Sequence, residues 1–217
     1  MGTRESGGMM RDCEYRFEFQ PGWFELTLTD RVETEALILA ESIKKQFNPL
    51  ELAVSERDLL RDLARRALHL NIDEPLLASA YYTASGNCLA NFRLDAFVED
   101  DDKPLPTPAE TVPYILGWVD GDIAGEPDVK YLDLEFGSAV RVQAMVQKKR
   151  KLGFGRKLSE FIDYAVFPPG ADHLVVVHVG WWSMAHTDEL TALTDELVAT
   201  MRRVPVDANG DEIKPNS

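Results

Sequence analysis

Apolar residues near the start of the chain recur at every second position. Tyr15, Phe17 and Phe19 are separated by Arg16 and Glu18, and Phe24, Leu26 and Leu28 then enclose Glu25 and Thr27. Alternation of this kind marks half-buried strands. Pro21-Gly22 turns the chain between the two runs, so they read as a hairpin or bent strand pair with Trp23 capping the core at the corner. The period then lengthens. Ala36, Leu37, Leu39, Ala40 and Ile43 form a helical stripe over 33–46, which Asn48-Pro49 ends. Ser55, followed three residues on by Asp58, opens a second helix as a variant capping box. Leu59, Leu63, Ala67 and Leu70 are its buried face, with Arg61, Asp62, Arg65 and Arg66 on or near the other.

Two strands follow, over 76–82 and 89–98, joined through Ala84-Ser85-Gly86-Asn87; in the second, Cys88, Ala90, Phe92, Leu94 and Ala96 oppose Leu89, Asn91, Arg93 and Asp95. Thr107, Pro108 and Glu110 are a helix start: an N-cap, a proline in the first turn and a glutamate at the third position. That helix is expected to reach about Val119 and to bend near Pro113. Residues 120–128 are rich in Gly and acid and read as a loop. Alternation resumes at Leu132, Leu134 and Phe136, continues through Val140, Val142, Ala144 and Val146, and returns at Ile162, Tyr164 and Val166. Pro168-Pro169-Gly170 turns the chain again. Residues 173–182 are apolar on both faces, as a covered central strand should be. Thr187 or Asp188 is the expected cap of a last helix with Leu190, Leu193, Leu197 and Met201 at helical spacing.

Antiparallel meanders with helices between them predict an α+β domain, a mostly antiparallel sheet covered by helices. The expected boundaries are a disordered N-terminus at 1–13, a single domain at 14–204 and a flexible tail at 205–217. At 217 residues the chain is long enough to bury a core without staples. No run approaches the length that spans a bilayer, and the N-terminus lacks the apolar core of a signal peptide. With two cysteines only, Cys13 and Cys88, no disulfide framework is indicated, and a reducing, cytoplasmic location is expected.

Charge changes the picture at one place. Residues 147–157 read Gln-Lys-Lys-Arg-Lys-Leu-Gly-Phe-Gly-Arg-Lys, six cations without a carboxylate in a chain of net charge -14. The acidic balance argues against general nucleic-acid binding. The cluster sits between two alternating runs and so crowns a hairpin tip. Lys148, Lys149, Arg150, Lys151, Arg156 and Lys157 repel one another unless an anion is near, and Phe154, between two glycines, is a candidate contact aromatic. The two readings are a docking loop for an anionic surface and a solvated tip that protects a sheet edge from aggregation.

Recognisable catalytic motifs are absent from the sequence. There is no Gly-x-Ser-x-Gly elbow and no Gly-x-x-x-x-Gly-Lys-Ser/Thr loop. Gly153-Phe154-Gly155 leads from strand to strand and reads as a turn. His173 and His178 lie five apart on one strand and point to opposite faces; with His69 at a helix end and His186 before the last helix, no metal-ligand spacing emerges. The acidic run 99–102 lacks the alternating ligands and turn glycine of a calcium loop. No cofactor, metal or catalytic residue is expected.

The segments Phe19-Gln20-Pro21-Gly22-Trp23, 140–146, Phe167-Pro168-Pro169-Gly170 and 175–201 together resemble the Mog1/PsbP-like α/β/α sandwich, in particular its actinobacterial members of unknown function. The resemblance is one of layout. It implies a binding or assembly protein without a shared active site. One group of the family binds a small GTPase and another binds the photosystem, but no surface motif carries either partner to this sequence. The leading expectation is therefore a non-enzymatic cytoplasmic interaction protein that binds a protein partner through the basic tip at 148–157, an exposed aromatic edge or the acidic surface. The alternative is a small-molecule-binding domain or enzyme with a pocket near Trp118, His178, Trp181 and Trp182, and a third option is contact with an anionic membrane surface through the tip.

Overall fold

The structure, a computed structural model, describes residues 13–99, 104–149, 156–207 and 212–213. Nine strands and four α-helices run in the order β1 (Cys13–Arg16), β2 (Trp23–Glu25), α1 (Glu33–Lys44), α2 (Glu56–Leu70), β3 (Leu77–Tyr82), β4 (Cys88–Val98), α3 (Pro108–Gly117), β5 (Asp122–Leu134), β6 (Gly137–Lys149), β7 (Arg156–Phe167), β8 (His173–Trp181), α4 (Thr187–Ala199) and β9 (Arg202–Pro205), among the described residues. Seven strands form one sheet in the order β2-β3-β4-β8-β7-β6-β5, every neighbouring pair antiparallel. β1 and β9 make a separate two-stranded sheet. The α+β architecture read from the periodicity is the one observed.

Strand parity divides the core into layers. On one face of the sheet, Phe92, Leu94, Ile162, Tyr164, Val177, Val179 and Trp181 pack beneath Leu190, Leu197 and Val198 of α4, with Tyr15, Phe17 and Phe19 against the same cluster. On the opposite face there are two smaller cores. α1 and α2 cover Ala78, Ala80 and Tyr82 at one end of the sheet. Ile115 of α3 packs with Val140, Val142, Ala144 and Val146 at the other. The helices start where local chemistry starts them. Ser55 Oγ accepts from the Asp58 amide at 3.1 Å, and Thr107 forms a reciprocal capping box with Glu110.

Three expectations need correction. β1 and β2 do not pair with each other: β1 joins β9 and β2 joins β3, because the aromatic stretch between them bends over the α4-side core. Most of 120–128 is not a loop but the first part of β5, an edge strand whose register shifts between Ala124 and Asp128; Pro127 is tolerated at such a bulge because its missing amide is not required. Thr187 does not cap α4, since its hydroxyl instead donates to Glu160 Oε2 at 2.7 Å. Cys13 begins β1, Pro205 closes β9 and Val206 is buried; of the expected disordered N-terminus and flexible tail, 1–12, 208–211 and 214–217 lie outside the described residues.

Candidate functional site

α2 stands over β3 and α3 over β6 and β7, and among the described residues no helix covers the β4–β8 band between them on that face. Alternate residues of β4 record the difference. Ala90, Phe92 and Leu94 are buried under α4, whereas Asn91, Arg93 and Asp95 are half-buried on the open side. The band is the floor of a cleft of about 960 Å³. The end of α2 and the residues after it, including Ile72 and Asp73, form one wall, and Ile115 and Trp118 of the α3 region form the other.

Three polar residues cross the floor in one row. Arg93 of β4 faces His178 of β8, which faces Asp163 of β7. Asp163 is almost fully buried, and its Oδ1 lies 2.5 Å from His178 Nδ1. Phe161 stacks beside the imidazole at 5.8 Å and an interplanar angle of 27°. Protein surrounds the ring laterally, yet 40% of the His178 side chain remains open to the cleft. Burial disfavours the imidazolium, but the adjacent Asp163 carboxylate outweighs it, and the His178 pKa is raised above its ordinary value. Asp163 also selects the tautomer. It holds the proton of neutral His178 on Nδ1, leaving Nε2 as an acceptor toward the cleft, and protonation converts Nε2 to a donor. Gly180 keeps this atom accessible, because a Cβ there would lie 3.1 Å from His178 Nε2.

Arg93 is held between two carboxylates, at 3.2 Å from Asp73 Oδ2 and 2.8 Å from Asp95 Oδ1, while its Nε is buried without a partner. Both cations of the floor are thus matched by the protein's own anions. The walls supply ring surface. Trp118 stacks on Phe97 at 5.1 Å and 16°, and both are exposed. Trp182 lies under Arg66, whose guanidinium is 4.7 Å from its ring centroid.

The structure brings Trp118, His178 and Trp182 to this cleft. Trp181 also borders it, but its indole belongs to the core beneath α4, where Nε1 donates to Thr187 Oγ1 at 3.4 Å. Asp163, Arg93 and Asp95 were not singled out from the sequence. Their common face in the alternation of β4 and β7 was the available signal, and their meeting with His178 depends on strand order. Among the described residues no cluster of His, Cys, Asp and Glu is arranged to hold a metal ion.

The basic tip is described in part. β6 and β7 pair up to Lys149 and Arg156, forming the stem of a hairpin; Arg150, Lys151 and Phe154 lie outside the described residues. Lys148 faces Lys157 across the stem and Lys149 faces Arg156. Lys148 pairs with Asp120, so one of the cations is neutralised by the protein itself. Among the described residues no carboxylate pairs with Lys149, Arg156 or Lys157. Nor, among those residues, is any helix long and apolar enough to cross a membrane.

No protein-family model matches this chain, and no curated protein is similar to it in sequence. Its arrangement is similar to solved structures. One is the solution structure of cyanobacterial PsbP (CyanoP) from Synechocystis sp. PCC 6803, with 11% identity, a TM-score of 0.47, and coverage of 93% of this chain and 98% of that one. Another is LpqN of Mycobacterium tuberculosis, described as involved in cell envelope biogenesis, with 13% identity, a TM-score of 0.46, and coverage of 89% and 84%.

Proposed function

We propose that the protein is a cytoplasmic, non-catalytic binding protein whose recognition site is the cleft over His178. The observation that carries this reading is the convergence of the His178–Asp163 pair and the exposed Trp118–Phe97 stack on one cleft of about 960 Å³. A few oriented polar groups among apolar and aromatic walls are the usual makeup of a small-molecule site. The ligand we infer is small, flat and largely uncharged. Ring surface at Trp118 stacks on it, and Nε2 of His178 makes its orienting hydrogen bond. An anionic ligand fits less well, because Arg93 and His178 already have carboxylate partners. Among the described residues no hydroxyl or thiol is hydrogen-bonded to His178, so the pair lacks the nucleophile that acyl-transfer chemistry would require. Both cysteines are free thiols, which suits a reducing compartment.

The test is a fragment library of small neutral heteroaromatics, screened by amide chemical-shift perturbation. Hits should cluster at Arg93, His178 and Gly180 and disappear in Trp118→Ala and His178→Ala. Hits scattered over the surface, or unaffected by these changes, would refute the reading.

A second reading is favoured by the hairpin stem. Like charges directly opposite one another across a strand pair are destabilising, and Lys148/Lys157 and Lys149/Arg156 are two consecutive such pairs. We infer that Lys148, Lys149, Arg150, Lys151, Phe154, Arg156 and Lys157 dock on an acidic surface of a protein partner. Reversing 148–151 to glutamate should abolish salt-sensitive retention of that partner in a pull-down. Unchanged retention would dismiss the docking role, and sedimentation with anionic but not neutral vesicles would assign the tip to lipid instead.

A further inference from the structure

Beyond the cleft and the hairpin, the outer surface of the α1–α2 pair is built in an unusual way. Arg57, Arg61, Arg65 and His69 are spaced four apart along α2, and all four are exposed. Four-residue spacing places them along one side of the helix. In a chain of net charge -14, this is a concentrated basic rail. Beside it runs an apolar row, Leu60, Ala64 and Leu68, and Leu37 of α1 stands opposite. Together with Ile72 at one end they line a groove of about 710 Å³ between the two helices.

Two observations show that the described residues leave this face unfinished. The first is apolar exposure: Leu37 is 42% and Ile72 61% exposed, while Ala36, Ala40 and Ile43 on the inner face of α1 are at most 4% exposed. An apolar surface concentrated between two helices and edged by charge is the usual appearance of an interaction site. The second is surplus positive charge. Arg61 and Arg65 do have neighbours, Asp58 at 3.4 Å and Asp62 at 2.5 Å. But Asp62 is shared: it also accepts from Arg66 Nε at 2.6 Å and from the Tyr82 hydroxyl at 2.8 Å. Among the described residues no carboxylate pairs with Arg57. Exposed pairs such as Arg61–Asp58 are worth little in water, so these guanidiniums remain available to a better-placed anion.

We propose that the α1–α2 groove docks an acidic amphipathic helix of another protein. The leucine stripe of that helix lies on Leu37, Leu60, Ala64 and Leu68, and carboxylates along its flank meet Arg57, Arg61, Arg65 and His69. Length fits this occupant. The rail from Arg57 to His69 extends roughly 18 Å at the helical rise, enough for about three turns of a partner helix. Geometry favours a helix over an extended peptide, because the groove is bounded by two helices whose backbone groups are internally satisfied and offers no strand edge to pair with. The charges of the rail set the sign of the partner and the apolar row sets its periodicity.

The probe is a synthetic amphipathic helix of about 14 residues, with leucine along one stripe and glutamate on both flanks. A second peptide replaces each glutamate by lysine. Binding is read by amide chemical shifts of the full chain at low salt. The acidic peptide should perturb α1 and α2 selectively, and the basic one should not bind. The double change Arg61→Glu with Arg65→Glu should weaken the acidic peptide by about tenfold or more, about 1.4 kcal/mol. Leu37→Glu and, independently, Ile72→Glu should do likewise, and both positions are exposed enough that thermal unfolding should remain cooperative. The proposal is overturned if both peptides bind equally, if neither binds, or if the shifts map elsewhere. It is also overturned if sedimentation reveals self-association that Leu37→Glu disperses, since a second copy of this chain would then be the occupant.

Discussion

Asn71, the residue that closes α2, offers a quantitative test of how the cleft wall is held. It is 1% exposed, and its side chain is fully used: Oδ1 accepts from the Leu28 amide at 3.0 Å, and Nδ2 donates to Leu26 O at 2.8 Å and Ala67 O at 2.7 Å. It therefore ties the segment after β2 to the end of α2, immediately before Ile72 and Asp73 of the cleft. Asn71→Ala leaves the Leu28 N–H and the Leu26 carbonyl without these partners in a buried place. At about 1–3 kcal/mol for each stranded group, the expected loss is about 3 kcal/mol. For a domain of this size that corresponds to a fall of about 6–12 °C in Tm. Asn71→Asp sharpens the test. It keeps the acceptor for Leu28 but turns an oxygen toward two carbonyl oxygens, which raises the carboxyl pKa in the folded state. The penalty is then fully present above the folded pKa and vanishes below the unfolded one, near pH 4. The Asn71→Asp protein should thus approach wild type on acidification, while Asn71→Ala shows no such recovery. Thermal denaturation between pH 4 and pH 8 reads both. A shift under about 2 °C for Asn71→Ala, or parallel pH profiles for the two variants, would refute the reasoning.

Three further outcomes follow from the cleft and its surroundings. In wild type the His178 ring should titrate above its ordinary midpoint by NMR, and in Asp163→Asn that midpoint should fall; the stability the pair contributes is complete below the unfolded histidine pKa and is lost as pH rises through the folded one. Gly180→Ala should leave Tm within a few degrees, since a Gly→Ala gain of about 0.4–1 kcal/mol opposes the tight contact at 3.1 Å, yet it should weaken any fragment bonded to His178 Nε2 by about tenfold. The Cys88 thiol, which burial pushes up to about 12, should be alkylated at pH 8 far more slowly in the native protein than in urea; equal rates would contradict its placement.

Local periodicity carried most of the element list and little of the site. The alternation of Ala90, Phe92 and Leu94 with Asn91, Arg93 and Asp95 was legible, and so was the central position of β8. What local pattern does not encode is that β8 lies between β4 and β7, which sets Arg93, His178 and Asp163 in one row. Trp181 and Trp182 both border the cleft, yet they do not face it alike. Grouped in one pocket by adjacency, they are separated by strand parity, which sends the Trp181 indole into the α4-side core. The first part of β5 was hidden by Gly121, Gly125 and Pro127, residues that signal a loop but also suit a bulged edge. Thr187 read as a cap because a hydroxyl before an apolar helix normally is one; the buried Glu160 carboxylate claims it instead.

The borders of the large sheet bear on how any second molecule can engage it. At one border β2 is only three residues long, and at the other β5 is interrupted at its bulge by a residue with no amide hydrogen. β2 is too short to template an incoming strand, whereas β5 past its bulge, over 128–134, keeps a regular register along the border. A partner peptide that becomes extended on the large sheet would thus find its backbone partners along that stretch of β5, whereas recognition elsewhere on the sheet falls to side chains on its faces.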